Sequence, residues 1–102
     1  MRKNYQKERN LNMYKAILEL KTVEECKAFF DDLCSISEIL AMEQRFEVAH
    51  LLYLDKIYSD IMAKTGASSA IISRVNRSLQ TGTGGYALVF ERMKDKEENE
   101  EK

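Results

Sequence analysis

Residues 57–80 read IYSDIMAKTGASSAIISRVNRSLQ, and the fold turns on this stretch. A short apolar helix from Ile57 to Lys64 runs into Thr65-Gly66-Ala67. Ser68 and Ser69 follow, side chains of the type that accept hydrogen bonds from a helix's first amides. A second helix is expected from Ala70 to Leu79, with Ile71, Ile72, Val75 and Leu79 recurring at helical spacing. Two helices joined by a turn of three or four residues containing glycine is the helix-turn-helix plan. Gly66 supplies the backbone freedom of the sharp turn, which a residue with a Cβ lacks.

Working towards the N-terminus, Ser35 and Glu38 have the spacing of a capping box and open a third helix. It carries Ile39, Leu40, Met42, Phe46, Ala49, Leu52 and Tyr53, apolar around more than one stripe, as in a helix packed on several sides. Thr22 and Glu25 repeat the box and open a second helix with Val23, Cys26, Phe29, Phe30 and Leu33 on its apolar face. Leu11, Tyr14, Ile17 and Leu18 mark a first helix. Towards the C-terminus, Gln80–Tyr86 is a glycine-containing break, Leu88, Val89 and Phe90 begin a last helix, and the charged tail from Glu91 is expected to fray. The expectation is an all-α fold of six helices, with a basic arm over residues 1–10, the helix-turn-helix domain over 11–94 and a charged tail over 95–102.

The composition agrees. Zero prolines and only four glycines in 102 residues favour long uninterrupted helices. A chain this short is one domain, or half of an intertwined dimer, and has no room for separate cofactor and substrate domains. The N-terminus is polar and no apolar run nears the ~18 residues of a membrane span, so the expected location is the cytoplasm. Net charge is −1, but its distribution is uneven. Residues 1–21 hold six basic side chains against Glu8 and Glu19, and residues 22–60 hold nine acids against Lys27, Arg45 and Lys56. Residues 61–90 contain Lys64, Arg74 and Arg77 and no acid. A polyanion could approach that surface and the basic arm while the acidic middle stays turned away.

On the second helix of the pair, burying the apolar face exposes Ser69, Ser73, Arg74, Asn76 and Arg77. Serine hydroxyls and a helix N-terminus suit phosphates, whereas Arg and Asn suit guanine and adenine edges in the major groove. The bland alternative is a structural hairpin on a protein-interaction module, which a recognition helix with only two arginines also allows. Other chemistry lacks its parts. The Gly82–Gly85 stretch has neither the following Lys-Ser/Thr nor the preceding strand of a phosphate loop and reads as a hinge. Cys26, Cys34 and the single His50 lack metal-ligand spacing, and no Ser/His/Asp grouping is present, so the cysteines read as core residues, His50 as a packing or hydrogen-bonding residue, and neither enzyme, metal nor cofactor is expected.

Over residues 33–79 the chain resembles the tryptophan repressor family, in its YerC/YecD branch. The likeness rests on Leu51-Leu52, Asp60-Ile61 and above all Thr65–Leu79, which matches the family's turn and recognition helix without gaps. It implies a homodimer in which the first three helices and the last interlock and two reading heads meet half-sites roughly 34–36 Å apart on double-stranded DNA. It implies a sequence-specific transcriptional regulator, a repressor by analogy. Ser69, Ala70 and Ser73 fall where the family meets bases or the groove floor, Ser59 and Met62 near phosphates, and Ser68, Lys64, Asn76 and Arg77 complete the expected DNA-contacting set. The family's corepressor lies between two arginines, matched here by Arg74 and, allowing a one-residue gap, Arg45; Ser78 matches a serine near the ligand's amino group. Val75 stands where the repressor has glycine, and its branched side chain fills the space beside the indole. That argues against tryptophan and leaves a different small effector, or none.

Overall fold

The computed structural model describes residues 9–101, and among these every regular element is helical. Six helices follow in order: α1 (Asn12–Ile17), α2 (Val23–Leu33), α3 (Ile36–Tyr53), α4 (Tyr58–Thr65), α5 (Ser69–Thr81) and α6 (Gly85–Glu101). The chain divides into two compact units, Met1–Ile39 and Leu40–Lys102, with α3 running from the first into the second.

In the first unit the caps follow the sequence. The Glu25 amide donates to Thr22 Oγ1 at 3.0 Å, while the Glu25 carboxylate accepts from the Lys21 amide at 2.9 Å, one residue before the usual partner. At the start of α3 the exchange is reciprocal: the Ser35 amide donates to Glu38 Oε1 at 2.7 Å and the Glu38 amide to Ser35 Oγ at 3.2 Å. The bond from the Ser35 amide, and after it the Ser35 hydroxyl, hold the Glu38 carboxyl below its ordinary pKa, because both favour the charged form. No residue of α1 or α2 is buried. Cys26, expected in a core, is exposed and Cys34 is half-buried. Of the basic arm, residues 1–8 lie outside the described residues; Arg9 donates to the Tyr14 hydroxyl and lies over its ring.

The core belongs to the second unit. Val48, Ala49 and Leu51 of α3, Ile61 of α4, Ala67 of the turn, Ile72 and Val75 of α5 and Phe90 of α6 are buried. Each fully buried Ile or Phe contributes about 1.5–3 kcal/mol by removing apolar surface from water. Around Phe90, 1% exposed, the rings of Phe46, His50, Tyr53 and Tyr86 gather with centroids 4.8–6.0 Å away, His50 stacked most closely. The single histidine is thus a packing residue.

α3 closes with the Lys56 amide donating to the Leu51 carbonyl and the Asp55 amide to that of Leu52, both at 3.0 Å, a Schellman turn. Its left-handed position, φ 62°, is occupied by Asp55 where glycine is usual. Helix α6 begins at Gly85, earlier than Leu88, and its bounds are Gly85–Glu101.

Candidate nucleic-acid interface

The interface is built from α4, the turn and α5, which pack against one another. α4 ends because Gly66 takes the left-handed conformation (φ 73°, ψ 3°), its amide donating to the Met62 carbonyl at 2.9 Å. Thr65 organises the turn. Its hydroxyl donates to the Ile61 carbonyl at 2.7 Å and accepts from the Ala67 amide at 3.1 Å, while its own carbonyl accepts from Gln44 Nε2 of α3 at 3.1 Å. Ser68 has extended backbone and its Oγ accepts from the Ile71 amide at 3.2 Å, an N-cap that fixes where α5 begins. At the far end the Gly82 amide donates to the Ser78 carbonyl.

Ile72 and Val75 seat α5 on the core, with Ile71 and Leu79 half-buried beside them. A helix turns about 100° per residue, so this fixes what faces outward. Ser69, Ser73, Asn76 and Gln80 form one flank, Ala70 and Arg77 the outermost line, and Arg74 and Ser78 the opposite flank. All are exposed except Asn76, which is half-buried. Ser59, Met62 and Lys64 of α4 and Ser68 at the cap are exposed as well. The structure therefore brings together Ser69, Ala70, Ser73, Asn76 and Arg77 on adjoining lines of α5, with Ser68 at its cap.

Gln80 belongs with them and was not singled out from the sequence: its amide approaches Asn76 Oδ1 at 3.5 Å. The usable signal was its place four residues after Asn76 on the same flank. Of the residues expected around an effector, Arg74, Ser78 and Arg45 are exposed, whereas Val75 is only 2% exposed and serves the core. At this level of α3 it is Gln44 that reaches the turn, and Arg45 lies about 100° further round the helix.

Chemically, the Ser69 and Ala70 amides at the start of α5, which an α-helix leaves without intrahelical acceptors, and the serine hydroxyls can donate to phosphate oxygens. Lys64, Arg74 and Arg77 are the only charges among residues 61–90, so nothing in that segment repels a polyanion. Among the described residues no grouping of three or more His, Cys, Asp or Glu could hold a metal ion, and no helix is long and apolar enough to cross a membrane.

Comparison with known proteins bears on the whole domain. Residues 9–94 match the family described as Trp repressor protein. The uncharacterized protein YerC of Bacillus subtilis (strain 168) is 47% identical over 85 residues, 83% of this chain and 82% of its own length. A TrpR-like protein from Eubacterium eligens ATCC 27750 superposes with a TM-score of 0.77 at 56% identity, covering 79% of this chain and 84% of that one. A candidate Trp repressor from Staphylococcus aureus superposes with a TM-score of 0.81 at 42% identity, covering 87% and 92%.

Proposed function

The chain belongs to the Trp repressor family, and from that premise we propose that it is a homodimeric, sequence-specific DNA-binding regulator of transcription, acting in the cytoplasm as a repressor. The carrying observation is the Ser68-capped α5, seated by Ile72 and Val75, whose outward surface bears Ser69, Ala70, Ser73 and Arg77 within a thirty-residue segment free of acid. In this account α5 enters the major groove. Arg77 and Asn76 meet base edges, the short Ser69, Ala70 and Ser73 allow close approach to the groove floor, and Ser59, Met62, Lys64 and Ser68 lie along the phosphates.

Dimerisation is supported by the apolar side chains the single chain leaves in water. Leu18 is 83% exposed and Ile36 68%, and Val23, Leu33 and Leu40 are exposed with them. A monomer with this much uncovered apolar surface is a poor solute, whereas two interlocked copies would cover it. Tryptophan is not the effector in this account, because Val75 stands where the repressor has glycine and is itself part of the core. Any effector is another small molecule bound near Arg45, Arg74 and Ser78.

The test is retention of fragments of the source genome against excess random-sequence duplex. The expected result is a small retained subset whose affinity falls steeply with salt. Arg77→Ala should weaken that binding by about 1–3 kcal/mol with folding unchanged. Retention indifferent to sequence, or a protein partner captured equally well after nuclease treatment, would instead make this fold an interaction module.

A further inference from the structure

Recognition by a helix-turn-helix requires that the second helix be held at a fixed angle to the rest of the domain. Apolar seating by Ile72 and Val75 resists lifting of α5 but is tolerant of sliding and rotation, because dispersion contacts have little directionality. A directional tie is needed as well. The structure contains one between α3 and the turn: Gln44 Nε2 donates to the Thr65 carbonyl at 3.1 Å. That carbonyl belongs to the last residue of α4, where a helix leaves its carbonyls without intrahelical donors. The same Thr65 grips the Ile61 carbonyl and the Ala67 amide through its hydroxyl. One residue thus joins α3, α4 and the first residues leading to α5, and Gln44 is its only side-chain link to α3 among the described residues.

We propose that Gln44 is a positioning residue for DNA recognition: its bond to Thr65 latches the turn and sets the pose in which α5 meets the groove. Gln44 itself touches no DNA, and the inference rests on the DNA-binding reading above. Without the latch the turn samples several poses, so affinity for a specific site falls in proportion to the population of the competent one. Non-specific attraction to phosphates depends on Lys64, Arg74 and Arg77 and stays as it was.

The test compares the full chain with Gln44→Met, close in shape but without a donor, and Gln44→Lys, which restores a donor of similar reach. Binding to the duplex selected by the wild type and to random duplex is measured where all three are folded, alongside amide exchange at Ala67. Gln44→Met should lower the specific-to-random affinity ratio about tenfold and speed Ala67 exchange, and Gln44→Lys should recover most of both. A parallel loss of specific and random binding, or unchanged Ala67 exchange in Gln44→Met, overturns the latch. If the wild type selects no duplex while Ala67 exchange still accelerates, the latch stands and its role in DNA recognition is refuted.

Discussion

Substituting Gly66 by alanine isolates what the turn between α4 and α5 asks of its backbone. Gly66 has φ 73°, and a Cβ placed on it would meet no heavy atom within 4 Å. Steric collision therefore contributes nothing, and the whole cost is that of holding an L-residue in the left-handed region, about 1–2 kcal/mol. For a chain of this size each kcal/mol lowers the melting temperature by about 4–8 °C. Gly66→Asn should cost distinctly less, because a short polar side chain tolerates this conformation. The assay is thermal and denaturant unfolding at one fixed protein concentration, since the stability of the proposed homodimer would depend on concentration. Gly82→Ala is the contrasting case: φ there is negative, but a Cβ would overlap the Ser78 carbonyl oxygen, so the end of α5 must open. If Gly66→Ala is neutral, or Gly66→Asn costs as much as Gly66→Ala, the turn does not depend on the left-handed residue and the reasoning fails.

Thr65→Val keeps the shape of the side chain but removes the hydroxyl, leaving the buried Ala67 amide without its acceptor. A loss of about 1–3 kcal/mol in denaturant unfolding is expected, with Thr65→Ser close to wild type. Asp55→Gly relieves the left-handed strain at the end of α3, and its melting temperature should match or exceed that of the wild type, whereas Asp55→Val should lower it. The lowered pKa of Glu38 fixes a sign. The capping contribution is complete above the ordinary glutamate range and is lost as pH falls through the depressed value. Melting curves followed from neutral into acid should show that loss in the wild type and less of it in Glu38→Gln.

Much of the helix-turn-helix was legible because its signals are local. Gly66 marks the turn, Ser68 the cap, and the spacing of Ile71, Ile72, Val75 and Leu79 the buried face of α5. The capping boxes at Thr22 and Ser35 were legible for the same reason. What escaped was everything decided by contacts between distant segments. Gln44 reads as one more polar residue of α3 until Thr65, 21 residues later, turns its carbonyl towards it. Arg45, the residue matched to the family's corepressor arginine, is the neighbour of Gln44 in the chain, and one residue on a helix changes the facing direction by about 100°. The ring cluster on Phe90 was likewise invisible, because it draws on Phe46, His50 and Tyr53 from α3 and Tyr86 from α6. Cys26 was misjudged for a different reason: periodicity identifies an apolar face but not what covers it. Asp55 broke a local rule, filling a position where glycine is the usual choice.

The central claim is that α5 reads DNA sequence as one of a symmetric pair. The most direct measurement is selection from random duplex DNA near ~0.15 M salt, where non-specific binding is weak enough to discriminate against, without and with L-tryptophan. The account predicts enrichment of a two-fold-symmetric motif, its half-sites roughly 34–36 Å apart, to the same degree in both conditions. Enrichment only when tryptophan is present would contradict the role given to Val75, and no enrichment in either condition would contradict the claim itself.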